Sequence, residues 1–398
     1  MKMKLIAIVI AAALAPAAAA ADTGNVNLYG RLNASVDSQS GAATAAAFQT
    51  QNTFVNTNSS RLGVRGSEDL GDGMSAIFQM EANVNLTGTG RGGNGNTVAN
   101  SAAANYGLFG GQVRDSFVGL SANWGKIQIG RLPMTSHWVY ESNLFADQIG
   151  DLGNFNSPAG MVTVGTRANG EVLYTTPNMS GFTANVQYYP RSSIVPDATL
   201  GAGAALGAGG SPTDSWGTKL NFNGKGTALP GLNTSFNYLS ISTGLGLKFT
   251  PWVVSASYDF GPGLVSAQYL QDLREQAGDS VDRSTFNVGG KYKVTENGVI
   301  KVQYSSAGDA NGSGPTFALG IAVNGLTPNV DTGAQMFVIG YDYNFSKRTS
   351  VYMAYASTNN RANSAYGVGG NGHNNQQPTS GVNGNDLRAF GVGVAHNF

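Results

Sequence analysis

Ala389-Phe-Gly-Val-Gly-Val-Ala-His-Asn-Phe398 is the stretch whose reading decides the fold. In a strand, successive side chains point to opposite faces. Phe390, Val392, Val394, His396 and Phe398 then share one face, and Ala389, Gly391, Gly393, Ala395 and Asn397 share the other. The first face is apolar except for one imidazole ring near its end. The second is small or polar. A ribbon with lipid on one side and water on the other needs this pattern. Soluble chains usually end on loose, polar residues. A terminal Phe398 instead suits a strand that closes a barrel and sets its last ring at the membrane interface.

Working outward, the same alternation recurs along the whole chain. Val26, Leu28, Leu32, Ala34 and Val36 alternate with polar neighbours, as do Phe182, Ala184, Val186 and Tyr188. Trp252 to Phe260, Phe286 to Val294, Ile300 to Tyr304 and Phe337 to Phe345 repeat it. A helix would place apolar residues three and four apart, which these segments do not do. Short connections such as 68–73, 121–125, 177–181, 261–263, 295–298 and 346–349 are built of Asn, Asp, Gly, Ser and Pro, the residues of tight turns. They alternate with long Gly/Asn/Ser/Ala-rich connections near 38–59, 84–113, 132–166, 190–214, 271–283, 306–333 and 359–385. Between the breaks the pattern predicts sixteen strands: 25–37, 60–68, 74–83, 114–121, 125–131, 167–176, 182–190, 215–223, 231–239, 251–260, 264–270, 284–294, 299–305, 334–345, 350–358 and 386–398. An even count with long loops at one end is the layout of an all-β, antiparallel transmembrane barrel of the outer membrane. No linker divides 22–398, which reads as one domain.

The start of the chain reads as a secretory leader. Lys2 and Lys4 precede an uncharged run from Leu5 to Ala21, interrupted by Pro16. That run is short of the ~20 residues of a spanning helix and ends in small residues that suit cleavage after Ala20 or Ala21. The expectation is a signal peptide over 1–21 and an exported chain. Glycine is 56 of 398 residues and charged residues only 12%. Disorder is depleted in aromatics, whereas 10% of this chain is aromatic and falls within the alternating segments. Cysteine is absent, so stability comes from pairing and burial instead of bridges. Without the leader, 21 basic residues face 23 acidic ones, a net charge of −2 that gives no case for nucleic acid.

Several motifs resemble one family. Ser60-Arg-Leu-Gly-Val-Arg-Gly-Ser-Glu-Asp-Leu-Gly-Asp-Gly-Met-Ser-Ala-Ile-Phe-Gln-Met-Glu81 is similar to the second and third strands of the general porins of the neisserial and β-proteobacterial type. Ser116-Phe-Val-Gly-Leu-Ser-Ala-Asn-Trp-Gly-Lys-Ile-Gln-Ile-Gly-Arg131, Val26-Asn-Leu-Tyr-Gly30 and the closing Ala395-His-Asn-Phe398 resemble it too. The resemblance runs through the mature chain. It implies a sixteen-stranded, homotrimeric barrel in the bilayer of a Gram-negative outer membrane, with a third loop after Arg131 folded inward. The connections near 84–113, 191–214 and 306–333 depart from the family in their length and Gly/Ala padding.

Such a barrel encloses water, and charges at its narrowest point set selectivity. Parity turns Arg31, Arg61 and Arg65 inward, because Leu32, Leu62 and Val64 face out. Arg167 joins them if Val172 and Tyr174 face lipid, and Lys291, Lys293 and Lys301 also face in. Arg114 stays open, since Phe117 and Val118 argue for opposite parities. The resemblance implies that Arg61, Arg114 and Arg167 lie on the wall beside the inward loop, which offers Glu141, Asp147 and Asp151 as opposing acids. A bland alternative has these arginines simply pairing with wall acids, Arg61 or Arg65 with Glu81. Because the inner bases outnumber the loop acids, the expectation is a diffusion pore for ions and small hydrophilic solutes with a weak preference for anions.

Other functions find less support. Only His137, His373 and His396 could serve as imidazole bases, and none sits in a nucleophile–base–orienter constellation, so no enzyme is expected. No cofactor or metal is expected either: His/Cys ligand spacing is missing, and Asp69-Leu-Gly-Asp-Gly73 lacks the distal Glu of a calcium loop. A secreted β-rich adhesin or solenoid would show a fixed repeat, which is absent. A substrate-specific channel is the remaining rival, with Trp138, Tyr140, Phe145 and Phe155 as its aromatic candidates.

Overall fold

Backbone N–H and C=O groups find no partners in hydrocarbon, so a sheet that crosses a membrane has to close on itself. Here the first and last strands pair. β1 (Asn25–Gly41) runs antiparallel to β19 (Leu387–Asn397), from Arg31 opposite Asn397 to Gly41 opposite Leu387. Gly30 and Phe398 extend the seam with two reciprocal backbone hydrogen bonds of 3.1 Å. Any side chain at Gly30 would run into the Phe398 ring. The computed structural model describes residues 25–41, 51–86, 113–135, 142–153, 167–190, 215–242, 248–276, 279–313, 331–364, 366–369 and 384–398. The leader expected at 1–21 lies outside them.

Between the seam strands lie β2 (Gln51–Thr57), β3 (Arg61–Gly71), β4 (Met74–Asn83), β5 (Ser116–Ala122), β6 (Gly125–Pro133), β7 (Arg167–Thr175), β8 (Phe182–Tyr189), β9 (Ser215–Asn223) and β10 (Leu232–Ser242). There follow β11 (Lys248–Phe249), β12 (Trp252–Asp259), β13 (Gly263–Gln276), β14 (Asp279–Lys293), β15 (Gly298–Ala307), β16 (Asn311–Ser313), β17 (Ala334–Asn344) and β18 (Thr349–Asn360). All belong to one sheet. Three are continuations across short breaks. β2 and β3 both pair with β1, β11 and β12 both with β10, and β15 and β16 both with β14. Pro251, with no N–H to give, sits in the second break. The wall is therefore a closed antiparallel barrel of sixteen staves among the described residues.

The two faces separate as the alternation requires. Val26, Leu28, Val36, Phe182, Val186, Val254, Phe286, Ile300, Phe337, Phe390, Val392, Val394 and Phe398 are exposed on the outer face. Asn33, Ser35, Asp37, Ser235, Asn237, Gln268, Asn287 and Gln303, on the opposite parity, are buried within. His396 stays in the outward row. Its Nδ1 meets Thr349 Oγ1 at 2.9 Å and its ring stacks on Phe398 at 6.5 Å.

One stretch departs from expectation. Residues 271–276 and 279–283 continue the wall: β13 and β14 stay in register from Gln271 opposite Ser284 to Gln276 opposite Asp279. Asp272, Arg274, Asp282 and Arg283 gave the segment a loop-like composition. Buried Arg274 and Arg283 in fact belong to the inward row, where polar side chains meet each other and not lipid. Residues 51–57, also read as loop, form a wall extension for the same reason.

Candidate functional site

The inward loop follows β6. Glu141, with His137, Trp138 and Tyr140, lies outside the described residues, as do Phe155 and His373. Residues 142–153 run along the inner wall past consecutive staves. Ser142 Oγ donates to Gln268 Oε1 on β13 at 2.9 Å. Leu144 N donates to Gln303 Oε1 on β15 at 3.1 Å, and Gln303 Nε2 donates back to Gly150 O at 3.0 Å. Asn33 Nδ2 on β1 donates to Asp147 O at 3.1 Å. Backbone groups that would be orphaned inside a barrel are thus met by wall amides.

Apolar contacts fix the same path. Phe145, Ile149 and Leu152 are buried against Met336, Val338, Ala354, Ala356 and Ala389, all on inward faces of β17, β18 and β19. A methyl group at Gly340 would collide with the Phe145 ring, and one at Gly391 with Ile149. The small inner face of the closing strand is therefore the groove in which the loop lies. At about 25 cal/mol per Å² of apolar area, three buried side chains of this size anchor the loop more strongly than any single hydrogen bond here.

The loop's acids divide by environment. Asp147 takes a left-handed backbone, φ 58°, and its Oδ2 lies 3.1 Å from the Arg31 guanidinium. Asp151 is fully buried. Its oxygens accept from Asp147 N at 2.8 Å, Gly153 N at 2.7 Å and Asn143 Nδ2 at 2.8 Å, tying the turn together. Burial above all, then the neighbouring Asp147, pushes its carboxyl up to about 7 despite those donors.

Facing the loop, the arc from β3 to β7 carries the bases. Glu81 is shared: Arg114 Nε binds its Oε1, Arg61 Nε lies 3.9 Å from its Oε2, and Tyr29 OH donates to it at 2.9 Å. Arg114 precedes β5, so strand parity does not govern it. Its N donates to Glu81 O at 2.8 Å, and its side chain turns inward to Glu81 and to Asn83 Oδ1 at 3.2 Å. Arg65 lies 4.8 Å over the Tyr29 ring. Arg167 pairs with Asp115, beyond a register shift between β6 and β7. Lys301 contacts the loop as well as the wall: its Nζ reaches Asp342 at 2.8 Å and Gln148 Oε1 at 3.2 Å, 4.6 Å from the Phe145 ring. Lys291 and Lys293 keep the inward parity and are exposed.

Parity could not single out a second network. Tyr352, a ring on the inward face of β18, donates to Asn33 Oδ1 at 2.7 Å and accepts from Asn58 Nδ2 at 3.0 Å. It links the break between β2 and β3 to the residue that holds the loop tip. The only available signal was a tyrosine out of phase with Val351 and Met353. Among the described residues, no three His, Cys, Asp or Glu side chains converge to hold a metal.

A sixteen-stave barrel with charged walls around an inward loop is a pore architecture, and the family profile described as Gram-negative porin matches residues 7–364. The chain belongs to that family. The porin is 28% identical over 388 residues to outer membrane porin protein 32 of Delftia acidovorans, covering 92% of each chain. Over 369 residues it is 26% identical to the major outer membrane protein P.IB of Neisseria meningitidis, covering 89% of this chain and 92% of that one. Among solved structures, an anion-selective porin from Comamonas acidovorans superposes with a TM-score of 0.70 at 24% identity, over 94% of this chain and 100% of that chain. A trimer form of OmpT from Vibrio cholerae gives 0.62 at 15% identity, over 95% and 100%. The porin is an outer-membrane channel for passive diffusion of solutes.

Proposed function

We propose that the porin passes small hydrophilic solutes with a weak preference for anions, and that it works as a homotrimer after removal of a leader at 1–21. One observation carries the selectivity: two guanidiniums, Arg61 and Arg114, share the single carboxylate of Glu81. Three other pairs that flank the loop, Arg31–Asp147, Arg167–Asp115 and Lys301–Asp342, are one to one. Within these pairs five cations meet four carboxylates; buried Asp37 on the same inner face offsets one of them, and Arg65, Lys291 and Lys293 add exposed cationic groups there. In a water-filled pore such charges raise the local concentration of anions by a modest factor. Facing Asp147 and the arginine arc set a transverse field that orders water and favours polar over apolar solutes.

Reversal potentials across a planar bilayer in a tenfold KCl gradient test this reading. The sign expected is that of chloride preference. A potassium-selective channel would overturn it.

A further inference from the structure

The tail of the inward loop has a second neighbour besides the barrel wall. Residues 366–369, from the connection between β18 and β19, lie against it. Gly150 N donates to Val368 O at 2.7 Å, and Ile149 and Gly369 form an antiparallel bridge. Tyr366 and Val368 are buried in the same cluster as Phe145, Ile149 and Leu152. The inserted segment is itself fastened. Thr358 Oγ1 donates to Gly367 O at 2.9 Å, Asn360 Nδ2 donates to Tyr366 O at 3.0 Å, and Tyr366 N donates to Asn360 Oδ1 at 2.8 Å. The Tyr366 hydroxyl accepts from the Arg283 guanidinium, which lies 5.6 Å over the ring. Arg283 is on β14, so this contact reaches past β15 and β17 to hold a connection rooted in β18.

A single bridge between two loop segments is too small to persist alone, since even an isolated hairpin is marginal in water. The buried tyrosine is the part with enough apolar area and polar anchoring to hold it. We propose that Tyr366 is a positioning residue for permeation: by seating 366–369 in the lumen, it clamps residues 149–152 against β17 and β19 and fixes the aperture from the external side. This rests on reading the inward loop as the constriction. It makes residues 366–369 a control point for the pore.

The test uses the full-length porin in planar bilayers. The hydrogen bond from the residue after Ile149 to the residue before Gly369 makes these two a non-hydrogen-bonded pair, whose Cα atoms lie about 4.5 Å apart. That is within disulfide range, about 4.4–6.8 Å, and the chain has no cysteine of its own. Ile149→Cys with Gly369→Cys is expected to cross-link and, compared with its own reduced form, at least halve the open-channel noise. Tyr366→Ala is expected to raise noise and sub-conductance events several-fold with unchanged heat-modifiable mobility, and Tyr366→Phe to fall between. If Tyr366→Ala fails to insert, the Phe variant and the cross-link decide. Failure to cross-link, or Tyr366 variants with the parent's current traces, overturns the proposal. A parent channel that prefers cations would sink the selectivity reading alone and leave these outcomes in force.

Discussion

Arg31 and Asp147 meet at 3.1 Å, joining the first stave of the barrel to the tip of the loop inside it. Asp147 is buried and Arg31 only partly accessible, so the pair is weakly screened and fastens the loop tip to the wall. Asp147→Asn leaves the Arg31 guanidinium without its carboxylate and is expected to lower stability by about 1–3 kcal/mol. It also removes the acid that faces Arg61. Anion preference in reversal-potential measurements should rise, with heat-modifiable mobility unchanged.

Glu81 offers the sharpest electrostatic test. Glu81→Gln leaves Arg61 and Arg114 side by side without their shared carboxylate. The chloride-to-potassium permeability ratio should increase several-fold, and salt should suppress the effect because lumen charges are screened over about 10 Å at 0.1 M. Arg61→Gln should move the ratio in the opposite direction. Equal shifts of one sign in both variants would refute the shared-carboxylate account.

Asp151 makes loop docking depend on pH. Its carboxyl is pushed up to about 7 when docked, first by burial, against a free value of 3.8. The docked loop therefore holds a proton that the free loop releases earlier. Its advantage is full below the free value, declines as pH rises from about 4 to about 7, and is spent above that. Channel noise from loop motion should grow over that interval. Asp151→Asn, neutral throughout, should flatten the dependence, which recordings at pH 5 and pH 8 would reveal.

Lys301 joins loop and wall. Lys301→Met keeps the stem but leaves Asp342 without its cation and Gln148 without its donor. Losing one partner of a buried pair costs about 3 kcal/mol. The expected result is a lower unfolding temperature in detergent together with noisier channels. The Arg variant should recover part of both.

The closing seam is sensitive to volume. Gly30→Leu drives a side chain into the Phe398 ring and the Arg61 carbonyl. Overpacking of this kind costs about 1–3 kcal/mol. Folding yield into vesicles, followed by gel mobility with and without heating, should fall while any inserted channels conduct normally.

The sequence by itself determined the barrel, its stave count and its inward and outward rows. Lipid outside and water inside impose a period of two on every strand, and that period survives in local sequence. It placed Phe390, Val392, Val394, His396 and Phe398 outward and Arg31, Arg61 and Lys301 inward. It could not tell wall from loop in β2 or at the facing ends of β13 and β14, where polar and charged residues interrupt the apolar alternation. Nor could it pair Arg114 with Glu81, bury Asp151 as a strut, or set Met336 and Val338 beneath Phe145 and Ile149. Only the tertiary structure decided these, because each depends on which distant staves curvature and register bring to one level of the cylinder. No local pattern records that distance.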